Sequence, residues 1–462
     1  MDSLLAFDPK LIRRYDTAGP RYTSYPTVKQ FHERFDETAY REHAARTNSD
    51  YPPTPLSLYI HLPFCATICY YCACNKIVTK DRSRSAPYVE RLVQELALQG
   101  VLFDRARRIE QLHWGGGTPT FLNHDEMRAL MDATRAHFTL HDDDQGEYSI
   151  EVDPRHVDED TVVLLRGLGF NRMSIGVQDF DPTVQSAVNR IQSEAQTLAV
   201  LESARARGFR SINMDLIYGL PHQTAATFTR TLDKVIAMRP DRLAVYNYAH
   251  LPDLFKPQRR INAHDLPSPA EKLNILQTAI NRLSQAGYIY IGMDHFALPD
   301  DELAVAQRAG TLQRNFQGYS TRAGCDLVSI GTTAIGKIGN AYSQNTHAVE
   351  DYYMTLDAGQ LPIRRGFVLS QDDLLRRDVI MELLCRFTLD IGAIERRHHI
   401  EFWRYFAPEL TKLEAMQADG LIEFDQSTIQ AQPVGKLLIR NIGMVFDRYL
   451  REEHARRYSK VI

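Results

Sequence analysis

The chain of 462 residues is 44% hydrophobic and 24% charged, enough to bury a full core and to divide into two domains. Its 58 acidic residues outnumber its 54 lysines and arginines, and the net charge of −4 argues against bulk nucleic-acid binding. No run approaches the roughly 18 apolar residues that span a bilayer, and the chain begins without a signal-peptide pattern. We therefore expect a cytoplasmic protein without a membrane span.

Short apolar strands alternate with helical stretches from about residue 56, as in repeated βα units around a parallel sheet. The segments 86–102 and 125–138 have apolar residues at helical spacing and suit right-handed crossovers. The strands are predicted at 56–61, 110–114, 148–153, 171–176, 210–217 and 242–248. Six such units predict an α/β fold, an incomplete TIM-like (β/α)6 barrel.

A cluster of four cysteines, CATICYYCAC at 65–74, follows the first predicted strand. Closely spaced thiolates hold iron–sulfur clusters, and the spacing of Cys65, Cys69 and Cys72 supplies three ligands to a [4Fe-4S] cluster. The fourth iron is then open and can chelate the amino and carboxylate groups of S-adenosylmethionine (SAM). This C-x3-C-x2-C spacing is the signature of radical SAM enzymes.

Other interpretations of these cysteines stay open. Structural zinc usually takes two separated pairs of ligands, whereas Cys325 and Cys385 are isolated and are expected to be small buried hydrophobes. A disulfide framework does not suit so long a chain. If Cys74 were a fourth ligand, the cluster would be closed and the protein would be an electron carrier.

Polar and glycine residues cluster at the carboxyl ends of the predicted strands. In βα barrels that face carries catalysis and the opposite face carries stability. A single buried carboxylate at a strand end is more often a structural hydrogen-bond acceptor, but here several such positions converge on one rim. They are Cys65, Gly115 to Pro119, Glu151, Asp153, Gln178, Asp215, Asn247 and Ala249.

The string GGGTP at 115–119 lacks the spacing and the lysine of a phosphate-binding loop. Its glycines would let the backbone approach a ligand closely and present carbonyl groups to an ammonium group. A tight turn from strand to helix is the alternative. Alternation along the next strand points one carboxylate inward, and Glu151 is the better candidate for contacting the amino group of a ligand.

The chain resembles the oxygen-independent coproporphyrinogen III oxidases, also called coproporphyrinogen dehydrogenases, of the radical SAM class. The resemblance runs nearly from end to end. It rests on the strings GPRYTSYP (19–26), YIHLPFC (59–65), HWGGGTPT (113–120), SIGVQD (174–179), DLIYGLP (215–221), NYAH (247–250) and RNFQGY (314–319).

The resemblance implies a radical SAM oxidoreductase that converts two porphyrinogen propionates into vinyl groups and releases carbon dioxide. Its cluster ligands would be Cys65, Cys69 and Cys72. Around the first SAM it implies Tyr59, Gly116, Glu151, Ala249 and Ile335. Around a second SAM it implies Tyr71, Gly117, Thr118, Gln178, Arg190 and Asp215. Two of these have plain structural alternatives, packing over the cluster for Tyr71 and a solvated helix position for Arg190.

The substrate would carry four carboxylates and so needs cations or hydrogen-bond donors. Arg21, beside Tyr22 in the N-terminal segment, is the leading candidate, although this segment could simply pack on the barrel. His295 is a weaker candidate, since a buried histidine is commonly satisfied by hydrogen bonds. Cys74 is expected to support activity without binding the cluster. The implied partners are the porphyrinogen and an electron donor such as flavodoxin or ferredoxin, and we expect a monomer.

The composition changes near residue 365. Helices are predicted at 369–389 and 400–417, followed by a hairpin at 420–430 and a further helix. We divide the chain into an N-terminal arm that completes the substrate site, a radical SAM domain and a helical, winged-helix-like lid domain. These segments are 1–50, 51–364 and 365–462. Winged helices often bind DNA, but fold analogy alone does not establish that function.

Two other functions stay open beside the decarboxylase. Relatives of this family act as heme-binding chaperones, and a radical SAM enzyme could also act on heme itself. The chaperones generally lack the cysteine at position 74 and the N-terminal GPRY segment, and this chain has both.

Overall fold

Parallel strands and helices alternate from residue 56 to residue 247, as the sequence predicts. The computed structural model describes residues 5–50, 52–322 and 324–452. All six predicted strands are present, with bounds that differ from the prediction by at most two residues. The strands are β1 (Leu56–Leu62), β2 (Phe64–Cys65), β3 (Ile77–Val78), β4 (Ile109–Gly116), β5 (Glu147–Val152), β6 (Arg172–Gln178), β7 (Ser211–Tyr218), β8 (Arg242–Asn247), β9 (Ile289–Gly292), β10 (His295–Ala297), β11 (Gln313–Asn315), β12 (Gly318–Ser320), β13 (Asp326–Ile330), β14 (Ile335–Ile338), β15 (Ala341–Asn345), β16 (Ile363–Val368), β17 (Thr388–Asp390), β18 (Ile422–Phe424) and β19 (Thr428–Ala431).

Side chains that cap the first backbone N–H groups fix where several helices begin. Asn123 and Glu126 form a reciprocal capping box at the start of α4 (His124–His137), a common sequence signal for a helix start. None of the helices in the described ranges is long and apolar enough to cross a membrane. The helices are α1 (Pro9–Tyr15), α2 (Glu37–Thr47), α3 (Ser85–Gly100), α4 (His124–His137), α5 (Glu159–Gly167), α6 (Pro182–Ala187), α7 (Glu194–Ala206), α8 (Ala225–Met238), α9 (Pro269–Gln285), α10 (Glu302–Arg308), α11 (Val349–Asp357), α12 (Gln371–Arg386), α13 (Ile391–His398), α14 (Phe402–Tyr405), α15 (Ala407–Ala418), α16 (Ile439–Val445) and α17 (Tyr449–Glu452).

The chain folds into two units, each made of separate segments. The sheet unit comprises Phe31–Ile275 and Gly324–Val368. The terminal unit comprises Met1–Gln30, Leu276–Ala323 and Leu369–Ile462. These units do not follow the three predicted segments, whose roles as arm, catalytic domain and lid stay predictions.

One continuous sheet forms the sheet unit, with the strand order β16-β15-β14-β13-β1-β4-β5-β6-β7-β8. The strands from β1 to β8 in this order are parallel, as expected for an open (β/α)6 barrel. The sheet also continues beyond β1, which the sequence prediction missed. There β13 pairs parallel with β1, and β14, β15 and β16 follow as an antiparallel meander.

Two hairpins, β9–β10 and β11–β12, and a small sheet of order β17-β19-β18 belong to the terminal unit. The predicted C-terminal helices and hairpin are present, with α12, α15, β18 and β19 close to their expected ranges. Apolar side chains of α12, α15 and α16 form its core, and Tyr22 and Tyr25 from the N-terminal segment are buried in it. The N-terminal segment is therefore part of this core.

Candidate active site

A row of polar side chains crosses the parallel strands of the sheet unit near their carboxyl ends. The register places Tyr59 beside His113 on adjacent strands, and Glu151 beside Ser174 on the next pair. Asp215 lies two residues beyond Asn213, the partner of Ser174, and therefore faces the same side of β7. The predicted convergence of Glu151 and Asp215 on one rim is thus present.

Glu151 is held as a carboxylate by two donors. Its Oε1 lies 3.2 Å from His113 Nε2, and its Oε2 accepts a hydrogen bond of 3.1 Å from the Gly116 N–H. Burial alone would raise the pKa of Glu151, but these hydrogen bonds and the neighbouring imidazole lower it below its usual value. Its side chain keeps 43% of its surface accessible, so an ionised oxygen can meet a cationic ligand.

The pKa of Asp215 is shifted in the opposite direction to that of Glu151. Burial and repulsion from Glu151 raise the pKa of Asp215 to about 6, although hydrogen bonds from Ser174 Oγ and Asn213 Nδ2 oppose the shift. Those bonds are 3.0 and 2.8 Å long. A cation or hydroxyl donor brought to this carboxylate would relieve the repulsion and favour its ionised form.

Close contacts within the protein surround the three glycines of the GGGTP string. A Cβ on Gly117 would lie 2.6 Å from the carbonyl carbon of Pro63, and one on Gly115 would lie 2.9 Å from Glu151 Oε1. Gly116 has φ +114°, and a Cβ there would meet the His61 ring at 2.5 Å. The turn thus lets the ends of β1 and β4 approach each other, and it presents the Gly116 N–H to Glu151.

The cysteine loop, defined as residues 65–74, is anchored on several sides by side chains that donate hydrogen bonds to its backbone carbonyl groups. Asn189 Nδ2 donates to the Ile68 carbonyl at 2.7 Å, and Gln258 Nε2 donates to the Tyr71 carbonyl at 3.0 Å. On the other side, Lys76 Nζ lies 3.3 Å from the Cys72 carbonyl oxygen. These contacts hold the loop at the end of β1.

Two of the loop's sulfur atoms have polar neighbours, and the pKa values of the two thiols are shifted in opposite directions. Thr118 Oγ1 lies 3.6 Å from Cys65 Sγ. Burial raises the pKa of Cys65 to about 11, so metal binding must displace its proton. A hydrogen bond from the Cys74 thiol, followed by smaller effects that include Lys76, lowers the pKa of Cys72 to about 6.

Within the described ranges, no three His, Cys, Asp or Glu side chains are grouped as ligands of a metal ion. The ligands of a four-iron cluster bind three different irons and need not converge on one point. The chemistry of the anchored thiols therefore fits a [4Fe-4S] cluster held by Cys65, Cys69 and Cys72.

Arg190 is buried beside this loop, so a solvated helix position is the wrong interpretation. It follows α6 and donates to Asp153 Oδ2 at 3.0 Å, to the Gly176 carbonyl at 2.6 Å and to Cys69 Sγ at 3.7 Å. Burial alone would raise the pKa of Asp153, but Arg155 and Arg190 together lower it to about 2. The position of Asp153 on the rim is predictable from its strand, but its ion pair with Arg190 is not.

The other predicted cofactor contacts also belong to the sheet unit. Tyr59 stacks on His113 with ring centroids 5.8 Å apart, and its hydroxyl lies 2.9 Å from His61 Nδ1. Tyr71 packs beside a small apolar cluster that contains Val188 and Tyr248. Gln178 ends β6 with φ +69°, Ala249 follows β8, and Ile335 begins β14.

Two histidines of this site were missed as site residues. His113 positions Glu151, and a signal for it was its place in β4 two residues before the glycines. His61 is buried, and in the part of the chain that the structure describes its Nε2 has no hydrogen-bond partner. Burial lowers the pKa of His61 to about 4 and keeps its ring neutral.

The predicted substrate contacts Arg21, Tyr22 and His295 all lie in the terminal unit. Arg21 Nη1 lies 3.7 Å from Asp294 Oδ2, and 38% of its side-chain surface is exposed. Tyr22 is 1% exposed, and its hydroxyl donates to Asp447 Oδ2 at 2.9 Å. This geometry favours a packing role for Tyr22 over direct contact with a substrate.

Comparison with known proteins agrees with this arrangement. Residues 59–235 match the radical SAM superfamily, and residues 369–438 match the HemN C-terminal domain. Oxygen-independent coproporphyrinogen III oxidases from Pseudomonas aeruginosa and Escherichia coli are 56% and 50% identical to this chain. Each alignment covers 99% of this chain, and 99% and 98% of the relatives. The solved structure of coproporphyrinogen III oxidase (HemN) from Escherichia coli, described as a radical SAM enzyme, superposes with a TM-score of 0.92 at 49% identity. That match covers 97% of this chain and all of the solved one.

The fold and the cysteine loop thus define a radical SAM enzyme that uses a [4Fe-4S] cluster and SAM. Within this class, the chain belongs to the family of oxygen-independent coproporphyrinogen III oxidases.

Proposed function

We propose that this protein carries out the oxygen-independent oxidative decarboxylation of coproporphyrinogen III to protoporphyrinogen IX in heme biosynthesis. The observation that carries the proposal is the 56% identity, over 99% of the chain, to a relative named for this activity. In this reaction, each of two propionates loses carbon dioxide, one hydrogen atom and one electron, and becomes a vinyl group.

The cluster and SAM, when bound, supply a deoxyadenosyl radical that takes the hydrogen atom from the carbon β to the carboxylate. Glu151, kept ionised by His113 and Gly116, accepts the ammonium group of SAM. The remaining contacts of this first SAM are Tyr59, Gly116, Ala249 and Ile335. Cys74, whose thiol donates to Cys72, supports activity without binding the cluster.

A second SAM binds beside the first in this proposal. Arg190 is fixed next to Cys69 by its ion pair with Asp153, and it offers a cation to the carboxylate of that SAM. Asp215 accepts polar groups at the other end. Tyr71, Gly117, Thr118 and Gln178 complete the site.

The electron reaches the cluster from an acidic carrier protein such as flavodoxin or ferredoxin. A basic ridge, defined as residues 254–260, supports this proposal because it packs on the cysteine loop. Its Gln258 bonds the Tyr71 carbonyl, and its Arg260 lies 5.2 Å from the Tyr70 ring centroid. Lys256 and Arg259 on the ridge are exposed, beside a Leu254 that is 67% exposed. We also infer a monomer in the cytoplasm, which size-exclusion chromatography and cell fractionation check.

An anaerobic assay tests the function directly. The reconstituted protein is mixed with SAM, dithionite and coproporphyrinogen III, and vinyl porphyrin is quantified by chromatography after oxidation. In parallel, the protein is titrated with heme. Formation of the two-vinyl product supports the proposal, whereas tight binding of heme without any vinyl product would favour the heme-chaperone alternative.

A further inference from the structure

Glu95 of α3 is a carboxylate buried in the sheet unit, with 0% of its surface exposed. Its Oε2 accepts hydrogen bonds from the Gly331 N–H at 2.8 Å and from the Tyr352 hydroxyl at 2.5 Å. Its Oε1 accepts a third bond, of 2.7 Å, from Asn345 Nδ2. Burial raises the pKa of Glu95 to about 7, although these three donors oppose the shift. An apolar side chain would fill this space without the cost of desolvating a carboxylate, so the three bonds point to a further role.

The bonds to Glu95 hold one turn of the backbone, which we call the β13–β14 turn (residues 331–334). Gly331 begins this turn with φ +100°, and a Cβ there would lie 2.7 Å from the His61 carbonyl oxygen. Asn345 Nδ2 also donates to the Gly331 carbonyl at 2.9 Å, and the backbone N–H of Asn345 donates to the Ala334 carbonyl at 3.0 Å. Glu95 and Asn345 therefore fix both ends of a turn that packs tightly against the end of β1.

Tyr88 lies two helical turns before Glu95 on the same face of α3 and bonds to the same region. Its hydroxyl donates to the His61 carbonyl at 3.0 Å and accepts a hydrogen bond of 3.0 Å from the Thr332 N–H. The ring centroid of Tyr88 lies 5.6 Å from that of Tyr352. One helix is thus bonded, through two side chains, both to the end of β1 and to the β13–β14 turn.

The β13–β14 turn lies at the rim of the candidate active site. Strand β13 runs parallel to β1, and its last residue, Ile330, pairs with Ile60. The turn is therefore at the carboxyl end of the parallel sheet, where the cysteine loop also begins. Asn75, which follows that loop, donates from its Nδ2 to Thr333 Oγ1 at 3.3 Å. Ile335, directly after the turn, is a proposed contact of the first SAM.

We propose that Glu95 is a positioning residue for the first SAM, because it fixes the β13–β14 turn and thereby Ile335. The inference rests on the proposed function, which assigns Ile335 to that SAM, and it adds a residue that lies outside the polar row at the rim. Glu95 acts through Gly331 and Asn345 instead of contacting SAM. Glutamine in its place offers one acceptor oxygen and one NH2 group, so at least one of the three donors would face another donor.

The EPR spectrum of the reduced cluster tests this role, because it responds to the SAM that binds the open iron. The reconstituted holoenzyme is reduced, mixed with increasing SAM in the absence of porphyrinogen, and frozen at once. Glu95→Gln should keep the wild-type spectrum without SAM. It should raise the SAM concentration at half-maximal change about tenfold, because a buried donor loses its acceptor. In turnover assays the KM for SAM should rise similarly, whereas kcat at saturating SAM should stay near the wild-type value.

Asp326→Asn is the matched control, since Asp326 is a buried carboxylate at the opposite end of β13. Asp326 is 2% exposed and accepts hydrogen bonds from Arg107 Nη2 at 2.6 Å and from the Gly339 N–H at 2.7 Å. This variant should lower the midpoint of thermal unfolding at least as much as Glu95→Gln, because a buried guanidinium loses its counter-ion. Its SAM dependence should equal that of the wild type.

Two results would overturn the proposal. A wild-type SAM dependence in Glu95→Gln would show that the network only supports the fold, and an equal shift in Asp326→Asn would trace the effect to lost stability. If Glu95→Gln does not fold, Tyr352→Phe removes a single donor, and SAM binding equal to that of the wild type would likewise contradict the role. A wild-type protein that binds SAM but forms no vinyl product would contradict the proposed function, while the SAM titration, which needs no porphyrinogen, would still decide the role of Glu95.

Discussion

Arg190 and Asp153 form a buried ion pair, with Arg190 Nη1 3.0 Å from Asp153 Oδ2 and each side chain only 8% exposed. The same guanidinium lies 3.7 Å from Cys69 Sγ. The position of a cation beside Cys69, a proposed cluster ligand, therefore depends on a carboxylate at the end of β5. Asp153 is therefore a positioning residue, and its contribution to the free energy of unfolding can be measured separately.

Asp153→Asn should lower the free energy of unfolding by about 3 kcal/mol at neutral pH, because it leaves buried guanidinium groups without their counter-ion. The pKa of Asp153 is depressed to about 2 in the folded protein, below about 3.9 in the unfolded chain. Its contribution is thus present above about pH 4 and is lost as pH falls towards 2. Urea unfolding of the cluster-free protein at pH 7 and below pH 4 measures both effects.

The matched control for this change is Asp125→Asn. Its ion pair with Arg128 is exposed, with 95% of the Asp125 side chain accessible, so removing it should change stability by less than about 0.5 kcal/mol. A difference between Asp153→Asn and wild type that stays constant as the pH falls below 4 would contradict the assignment of the depressed pKa.

The proposed cluster ligands give the second prediction. Serine at Cys65, Cys69 or Cys72 should abolish cluster assembly and turnover, because each thiolate binds one iron. Cys325→Ser should retain both, since its cysteine is outside the loop. Iron content and the EPR signal of the reduced cluster, measured anaerobically, provide the readout. A normal cluster in Cys69→Ser would contradict the ligand assignment.

We propose that Cys74 is not one of these ligands. Cys74→Ser should keep the iron, because a fourth thiolate would block the iron that SAM must reach and Cys74 is therefore not expected to be a ligand. The variant should lose the vinyl product, because Cys74 is proposed to support activity. Iron content and product yield are compared in one preparation. Loss of the cluster in this variant would identify Cys74 as a ligand and revive the electron-carrier interpretation.

Particular residues show how far the sequence could predict this structure. The six parallel strands were predicted because apolar runs with regular spacing encode them locally. The inward position of Glu151 followed from alternation, and Asp215 was placed on the same rim by its predicted strand. The strands β13 to β16 were missed because β13 pairs with β1, which is far away in the sequence. The burial of Arg190 and of Tyr22 depends on partners distant in the chain, Asp153 and Asp447, which no local pattern reveals.

The next prediction concerns Arg21, and the structure favours testing it with a single substitution instead of a truncation. Deleting residues 1–30 would remove Tyr22 and Tyr25 from the core of the terminal unit. A loss of activity could then come from lost stability as well as from a lost substrate contact. Arg21→Ala alone should still cleave SAM to deoxyadenosine but should decarboxylate little coproporphyrinogen, because a propionate loses a charged partner. Both products are quantified from the same anaerobic reaction. Wild-type yields of both would show that Arg21 does not contact the substrate.

The basic ridge at 254–260 gives the final prediction, which concerns electron delivery. Lys256→Glu combined with Arg259→Glu should raise the KM for an acidic flavodoxin about tenfold or more at low salt, because like charges then face each other. The effect should shrink as salt is added, since exposed charges are screened within about 10 Å at 0.1 M. Turnover driven by dithionite, which needs no docking, should equal that of the wild type. The control is Arg128→Glu combined with Arg207→Glu, the same change of charge at side chains that are 51% and 45% exposed. If the ridge variant were equally slow with dithionite, the ridge would support the cysteine loop and would not be a docking surface.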